Sequence, residues 1–198
     1  QSQEPAFEAW LVDRRRHLHA HPELSLQEFE TTKMIEAELA AIEGVTNIHR
    51  LLETGVVAEI HGTRPPPPGE ASLRPRTVLL RGDCDALPMQ DLKDESCPYR
   101  SQVPGVMHSC GHDVHVACML GATKLLAANR DAFSGKVLLV YQPAEEVAGG
   151  GRRMVVAGVC GKFQSKAEKK KLKQAGIIAP TPTKPGDDAA DAAAAAPS

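Results

Sequence analysis

The chain has 198 residues, of which 42% are hydrophobic and 24% are charged, and its formal net charge is -2. This length and composition are typical of one soluble globular domain, or of one domain with an appendage. The charge balance argues against a generally basic nucleic-acid-binding surface, and no apolar run reaches the length that a membrane-spanning helix needs.

Two helices and a short strand are predicted in the N-terminal part of the chain. Apolar residues recur at helical spacing over residues 5–19. Ser25 and Glu28 have the spacing of a capping box, which predicts that they start the second helix, and Gly44 closes it. Residues 55–60 have the pattern of a short strand.

The middle of the chain is predicted to form a strand–helix–strand unit. Apolar runs at residues 77–82 and 136–142 are typical of buried strands, and residues 112–128 have the clearest helical periodicity. A crossover helix joins parallel strands, and ligands of such sheets gather beyond the carboxyl ends of the strands. The fold class is therefore predicted as α/β, with a mostly parallel sheet flanked by helices. The acidic residues that follow the two strands are Asp83, Asp85, Glu145 and Glu146.

The five cysteines are too few and too irregularly spaced for a disulfide-rich secreted protein, which favours a reducing compartment such as the cytoplasm. Cys84 and Cys118 lie in apolar strand and helix patterns, so they are predicted to be small buried side chains. Cys110 differs from them because His112 lies two residues after it.

A Cys, a His and two adjacent Glu side chains are predicted to meet at one edge of the sheet. Cys110 and His112 lie at the start of the central helix, and Glu145 and Glu146 follow the second strand. A thiolate, an imidazole and a carboxylate form a ligand set that zinc or a similar divalent ion accepts. An adjacent second carboxylate can act as general base for bound water. The pattern therefore predicts a metal site for hydrolysis.

Several motifs then indicate a family. In chain order they are Arg15–Ser25, Thr54–Val57, Arg81–Pro88, His108–Asp113 and Gln142–Glu146. Together they resemble the metal-dependent aminoacyl amidohydrolases, a group that includes hippurate hydrolases, N-acyl-amino-acid hydrolases and plant hydrolases of auxin–amino-acid conjugates. The resemblance covers roughly residues 10–158.

The resemblance implies a role for each of five residues. Cys110 corresponds to the ligand that bridges two divalent ions (zinc, manganese or cobalt), and His112 and Glu146 correspond to further ligands. Glu145 resembles the general base, and Asp85 resembles the carboxylate that orients the site. The implied partner is a small N-acyl amino acid, with no nucleic acid or membrane involved.

Other polar residues near these motifs leave alternatives open. His115 lies one helical turn after His112 and is a possible further participant, whereas Asp83 is either structural or a support for the site. The first motif also contains three histidines at metal-like spacing, namely His17, His19 and His21. The family uses that segment structurally, so these three histidines are expected to lie away from the metal site.

The resemblance does not extend over the whole chain. Family members are longer, with a lid domain and two more His ligands downstream, whereas no His follows His115 here. Residues 1–158 are therefore expected to form a partial catalytic domain without the lid, and residues 159–198 a low-complexity, disordered tail. The expected function is metal-dependent hydrolysis of the amide bond of N-acyl amino acids, weak or absent in this truncated chain. The alternative is a non-catalytic metal-binding or interaction protein.

Overall fold

A computed structural model describes residues 4–69, 76–147 and 149–160 of the chain. Its elements, in chain order, are α1 (Glu4–Ala20), α2 (Phe29–Ala40), β1 (Val45–His49), β2 (Val56–His61), β3 (Thr77–Asp83), α3 (His112–Ala128), a short 3₁₀ turn (Arg130–Ala132), β4 (Lys136–Gln142) and α4 (Gly150–Ala157). Across these ranges, no helix combines the length and the apolar character that crossing a membrane requires. The predicted disordered tail lies almost wholly outside the described residues, so it stays a prediction, as does the domain boundary.

The four strands form one mixed sheet in the order β1-β2-β4-β3. The pair β3–β4 is parallel and is joined through α3, which confirms the predicted strand–helix–strand unit. However, β1 pairs antiparallel with β2, and β2 pairs antiparallel with β4. The prediction of a mostly parallel sheet is therefore wrong, although the α/β class with flanking helices is confirmed. A parallel pair needs a long crossover connection, and β1 is joined to β2 by only a short link.

The hydrophobic core lies on both faces of this sheet. Alternate residues of a strand point to opposite faces, so Leu139 packs with the cluster under α1, α2 and α3. Its neighbours Leu138 and Val140 pack on the other face against Met154 of α4. The sheet is therefore covered by three helices on one side and by α4 on the other.

The central helix α3 has the predicted bounds but a partly different buried face. Val116 and Leu120 are buried, whereas Cys118 and Leu125 are exposed, Leu125 with 56% of its surface. Positions 118 and 125 are seven residues apart and so lie on one stripe of the helix. That stripe points away from the sheet, and the prediction that Cys118 is buried is wrong. Cys84 is buried as predicted.

The predicted capping box at the start of α2 is also wrong. The helix begins at Phe29, and its N-cap residue Glu28 makes no side-chain capping bond. The carboxylate of Glu23 fills this role instead, accepting hydrogen bonds from the backbone N–H of Glu30 at 3.1 Å and of Thr31 at 2.8 Å. A carboxylate at this position satisfies free N–H groups and suits the helix dipole. Ser25 and Glu28 are therefore not required to cap the helix.

Candidate metal centre

The ends of β3 and β4 bring the predicted site residues to one edge of the sheet. In the parallel register Asp83 lies opposite Gln142, so the segments that follow the two strands start side by side. Asp85 lies two residues after the end of β3, and Glu145 lies three residues after the end of β4. The first residue of α3, His112, lies between them, 3.3 Å from Asp85 Oδ1 and 3.9 Å from Glu145 Oε2.

Three of these residues are close enough to bind one cation. A ligand atom from each of Cys110, His112 and Glu146 lies within 4.8 Å of the other two. Cys110 is exposed and His112 is buried, so the cluster opens toward solvent on the thiol side. The sequence pattern led us to expect these side chains together, and the structure places them together.

The orientation of His112 is fixed by a backbone group. Its Nδ1 donates a hydrogen bond to the carbonyl oxygen of Asp85 at 2.8 Å, which leaves Nε2 as the atom that faces the cluster. Nε2 lies 3.7 Å from Glu146 Oε1 and 3.5 Å from Asp83 Oδ1. Burial opposes protonation of this ring, but contacts with Asp85 and the charge of Asp83 outweigh it and raise the pKa of His112 to about 9. The imidazole is therefore surrounded by groups that favour a positive charge at Nε2.

Asp85 connects several parts of the site. Its Oδ2 accepts hydrogen bonds from Ser25 Oγ at 2.6 Å and from the backbone N–H of Glu146 at 3.0 Å. Burial disfavours ionisation, but contacts with the His112 imidazole, the Ser25 hydroxyl and the backbone of Glu146 and Glu145 outweigh it and hold the pKa of Asp85 well below its usual range. Asp85 therefore stays ionised and holds both the imidazole and the Glu146 backbone.

Two buried oxygens in this region accept no hydrogen bond from any described residue, namely Glu146 Oε1 and Asp85 Oδ1. Buried acceptors are normally satisfied, so an acceptor aimed at a thiol and an imidazole is an unusual arrangement that a cation would satisfy. The Glu146 carboxylate, together with burial, also raises the pKa of the Cys110 thiol. The residues present therefore fit a divalent metal ion.

A second cluster lies beside the first. Ligand atoms of Asp83, His112 and His115 are also within 4.8 Å of one another. His115 Nδ1 lies 2.5 Å from Asp83 Oδ1, and Arg81 pairs with Asp83 Oδ2 at 2.8 Å. Both oxygens of Asp83 therefore have partners already, and the Arg81 guanidinium disfavours a cation there. His115 and Asp83, which the sequence left open, border the site as a hydrogen-bonded pair.

The three histidines of the first motif have two different environments. His17 and His21 are exposed, and their rings are in tilted contact with centroids 4.6 Å apart. His19 is buried, and its Nδ1 donates to Asp113 Oδ2 at 2.7 Å while its Nε2 accepts from Lys93 Nζ at 2.7 Å. None of the three belongs to a ligand cluster within the described ranges. His19 supports the residue next to His112, a role that its sequence spacing did not indicate.

The turn that carries Glu145 and Glu146 is tightly packed. Ala144 has φ +53°, in the left-handed region that residues other than glycine rarely adopt. Its N–H donates to Glu28 Oε1 at 2.8 Å, and its carbonyl accepts from Gly150 N at 3.1 Å. A side chain at Gly150 would place Cβ 1.6 Å from the carbonyl oxygen of Pro143. Glycine at this position allows α4 to begin directly against the turn.

Comparison with known proteins gives several similar chains. N-acetylcysteine deacetylase of Bacillus subtilis is 43% identical over 158 residues, which are 78% of this chain and 38% of that protein. IAA-amino acid hydrolase ILR1-like 4 of Arabidopsis thaliana is 44% identical over 153 residues, which are 77% of this chain and 32% of that protein. The chain therefore spans about a third of the length of these relatives.

Solved structures agree with the fold. The Bacillus subtilis YXEP protein, named a dinuclear metal-binding peptidase of the M20 family, has 42% identity and a TM-score of 0.68. The match covers 78% of this chain and 40% of that one. A putative aminohydrolase of methicillin-resistant Staphylococcus aureus has 39% identity and a TM-score of 0.67, over 78% of this chain and 37% of that one.

The matched family is described as peptidase family M20/M25/M40, and its model aligns with residues 79–192. This match includes most of β3, all of α3 and β4, and the two motifs that carry the ligand cluster, and it extends beyond residue 158, where the motif resemblance stops. The resemblance to metal-dependent amidohydrolases is thereby confirmed. Since the match covers more than half of the chain, the chain belongs to peptidase family M20/M25/M40.

Proposed function

We propose that this domain carries out metal-dependent hydrolysis of the amide bond in small N-acyl amino acids. The observation that carries the proposal is the meeting of the ligand atoms of Cys110, His112 and Glu146 within 4.8 Å, with the Glu145 carboxylate beside them. The names of two relatives, a deacetylase of N-acetylcysteine and a hydrolase of IAA–amino-acid conjugates, describe removal of an acyl group from an amino acid.

In this proposal Cys110, His112 and Glu146 would hold divalent metal, in keeping with the relative named dinuclear. The ligand set of sulfur, nitrogen and oxygen suits zinc, manganese or cobalt. When bound, the metal supplies a water of lowered pKa and polarises the amide carbonyl. The protein's own residues position the substrate carbonyl and the protons around that water.

Glu145 is the proposed general base. Its side chain is 41% exposed and its Oε2 lies 3.9 Å from His112 Nε2, so it faces both the cluster and the solvent from which substrate enters. It takes a proton from the attacking water and delivers it to the leaving amine. Asp85 does not react but holds the His112 ring and the Glu146 backbone in place.

The catalytic strength of this chain by itself is a further part of the proposal. Among the described residues, the cluster of Cys110, His112 and Glu146 supplies three protein ligands, fewer than two ions need. We therefore expect weak metal binding, and hydrolysis slower by at least roughly a hundredfold than in a complete relative. The second candidate function is a non-catalytic metal-binding protein, which the three-ligand cluster would also support.

The test is hydrolysis of an N-benzoyl amino acid by the purified chain, supplied with Zn²⁺, Mn²⁺ or Co²⁺. We expect slow, metal-dependent release of the amino acid that Glu145→Gln abolishes without removing metal binding. Glu43→Gln, at an exposed glutamate in the turn after α2, is the matched control and keeps the full rate. Metal binding with no turnover would favour the non-catalytic function, and absence of both would refute the proposed metal centre.

A further inference from the structure

The connection between α1 and α2, residues 21–28, contacts both strand ends that carry the proposed metal centre. Ser25 Oγ donates to Asp85 Oδ2, beyond β3, at 2.6 Å. Glu28 Oε1 accepts from the Ala144 N–H, beyond β4, at 2.8 Å. The backbone carbonyl of Glu23 also accepts from the N–H of Ala86 at 2.8 Å. One short segment is therefore hydrogen-bonded to the two turns from which the site is built.

The Ser25 contact determines how Asp85 uses its oxygens. Asp85 Oδ2 accepts from both the Ser25 hydroxyl and the Glu146 N–H, while Oδ1 faces the His112 ring. Without the hydroxyl, the carboxylate is free to rotate about its terminal torsion, which has a broad energy profile. Ser25 therefore fixes the plane of the carboxylate that holds the backbone N–H of Glu146, and it keeps the other oxygen of that carboxylate 3.3 Å from His112 Nδ1.

The Glu28 contact holds the other side of the same turn. Glu28 is fully buried, with 0% of its surface exposed, and its Oε1 accepts from the N–H groups of Leu26 and Ala144. Oε2 accepts no hydrogen bond from the described part of the chain. The N–H groups of Ala144 and Glu146, two residues apart, are thus each held by a carboxylate. A fully buried carboxylate is uncommon unless it is paired, so the burial of Glu28 needs an explanation.

Helix capping does not supply that reason. The N–H groups at the start of α2 that a capping box would satisfy are bonded to Glu23, and Glu28 makes no side-chain capping bond. The side chains of Ser25 and Glu28 instead reach residues 60 and 116 positions away in the sequence. Both contacts lead to the turn that carries Glu145 and Glu146, that of Ser25 through Asp85 and that of Glu28 through the Ala144 backbone.

We infer that Ser25 and Glu28 are positioning residues of the metal centre, which hold the Glu145–Glu146 turn at the distance from His112 that a shared cation needs. The inference rests on the proposed function, because it assigns these two side chains to the same site. Neither residue touches the cation or the substrate. They act through Asp85 and through the Ala144 backbone.

The experiment is a titration of the full chain with Co²⁺ alone, followed by the thiolate-to-cobalt charge-transfer absorption that reports the Cys110 ligand. Loss of a supporting hydrogen bond commonly weakens metal binding by 10–100-fold, so we expect that loss for Ser25→Ala and for Glu28→Ala. Glu28→Gln keeps an oxygen that accepts from the same two N–H groups and should bind cobalt within about threefold of the unaltered chain.

The matched control is Glu23→Gln. Glu23 lies in the same connection and its carboxylate also accepts two backbone N–H groups, but both belong to α2 and neither to the site. This variant should have a lower unfolding temperature with unchanged cobalt affinity and an unchanged charge-transfer band. A purely structural role of the connection would instead make the cobalt affinity follow the unfolding temperature in all variants.

The outcomes are distinct. Cobalt affinity unchanged in both alanine variants, or weakened equally in Glu23→Gln, would overturn the inference while leaving the metal centre intact. If Glu28→Ala does not fold, Ser25→Ala decides, because that residue is only partly buried and loses a single oxygen. No cobalt–thiolate band in the unaltered chain would refute the metal centre itself, and the inference with it.

Discussion

The affinity of the site for a divalent cation should rise steeply with pH. Two ligands carry protons in the metal-free chain at neutral pH, since the pKa of His112 is about 9 and the pKa of the Cys110 thiol is raised by Glu146. Both protons must leave when the cation binds. Below pH 9 the logarithm of the affinity therefore increases by about two for each pH unit, or about 10,000-fold between pH 6 and pH 8. Raising the pH removes the competing protons, so the affinity for the cation increases with pH.

The assay is competition with a chromogenic chelator at pH 6, 7 and 8, with Co²⁺ or Zn²⁺ as the cation. Calorimetry in buffers of different ionisation enthalpy counts the released protons independently. Cys110→Ser removes one of the two titrating ligands and should reduce the slope to about one, although its absolute affinity is lower. A slope near zero for the unaltered chain would refute this reasoning, because it would mean that neither the imidazole nor the thiol is a ligand.

Three further predictions concern stability. His19→Ala should lower the free energy of unfolding in urea by about 2 kcal/mol, because it removes one of the two side-chain partners of the buried Asp113, which keeps Arg15 at 3.0 Å. The exposed His21→Ala should change that free energy by less than about 0.5 kcal/mol. Gly150→Ala should lower the free energy of unfolding by at least about 2 kcal/mol and weaken cobalt binding, because its Cβ would lie 1.6 Å from the Pro143 carbonyl oxygen. Gly149→Ala is the control: the nearest neighbour of its Cβ would lie at 3.8 Å, so neither stability nor cobalt binding should change. A cation at a hundred times its dissociation constant should stabilise the chain by about 2.7 kcal/mol, and the absence of any thermal shift would contradict specific binding to the folded state.

The sequence allowed the central unit to be predicted well. The strands β3 and β4 and the helix α3 were placed within a residue of their observed bounds, because the strands are continuous apolar runs and the helix is a long periodic one. Their parallel pairing followed from the helix between them. Since parallel strands end at the same edge, the meeting of Cys110, His112 and Glu146 could also be expected from their positions after those strands.

The remaining features depended on contacts that local patterns do not contain. The strand β1 was missed because Val45–His49 is short and has no fully buried residue. Its antiparallel pairing with β2, together with that of β2 with β4, makes the sheet mostly antiparallel. Ser25 and Glu28 match a capping box whether or not they cap a helix, and only the folded chain shows that their partners are Asp85 and Ala144. A capping box is recognised from a spacing of three residues, whereas these two hydrogen bonds join residues 60 and 116 positions apart.

The long reach of Glu28 has a consequence for the order in which the chain folds. Its bond to Ala144 closes a loop of 116 residues, and contacts of such separation are slow to form. During synthesis, the carboxylate emerges from the ribosome long before the strand end that will receive it. Until β4 is in place, burying this charge is unfavourable, so α2 cannot settle permanently on the sheet. We therefore expect the cation site to be completed late in folding, when β4 joins the sheet, and bound cobalt would serve as a marker of that step.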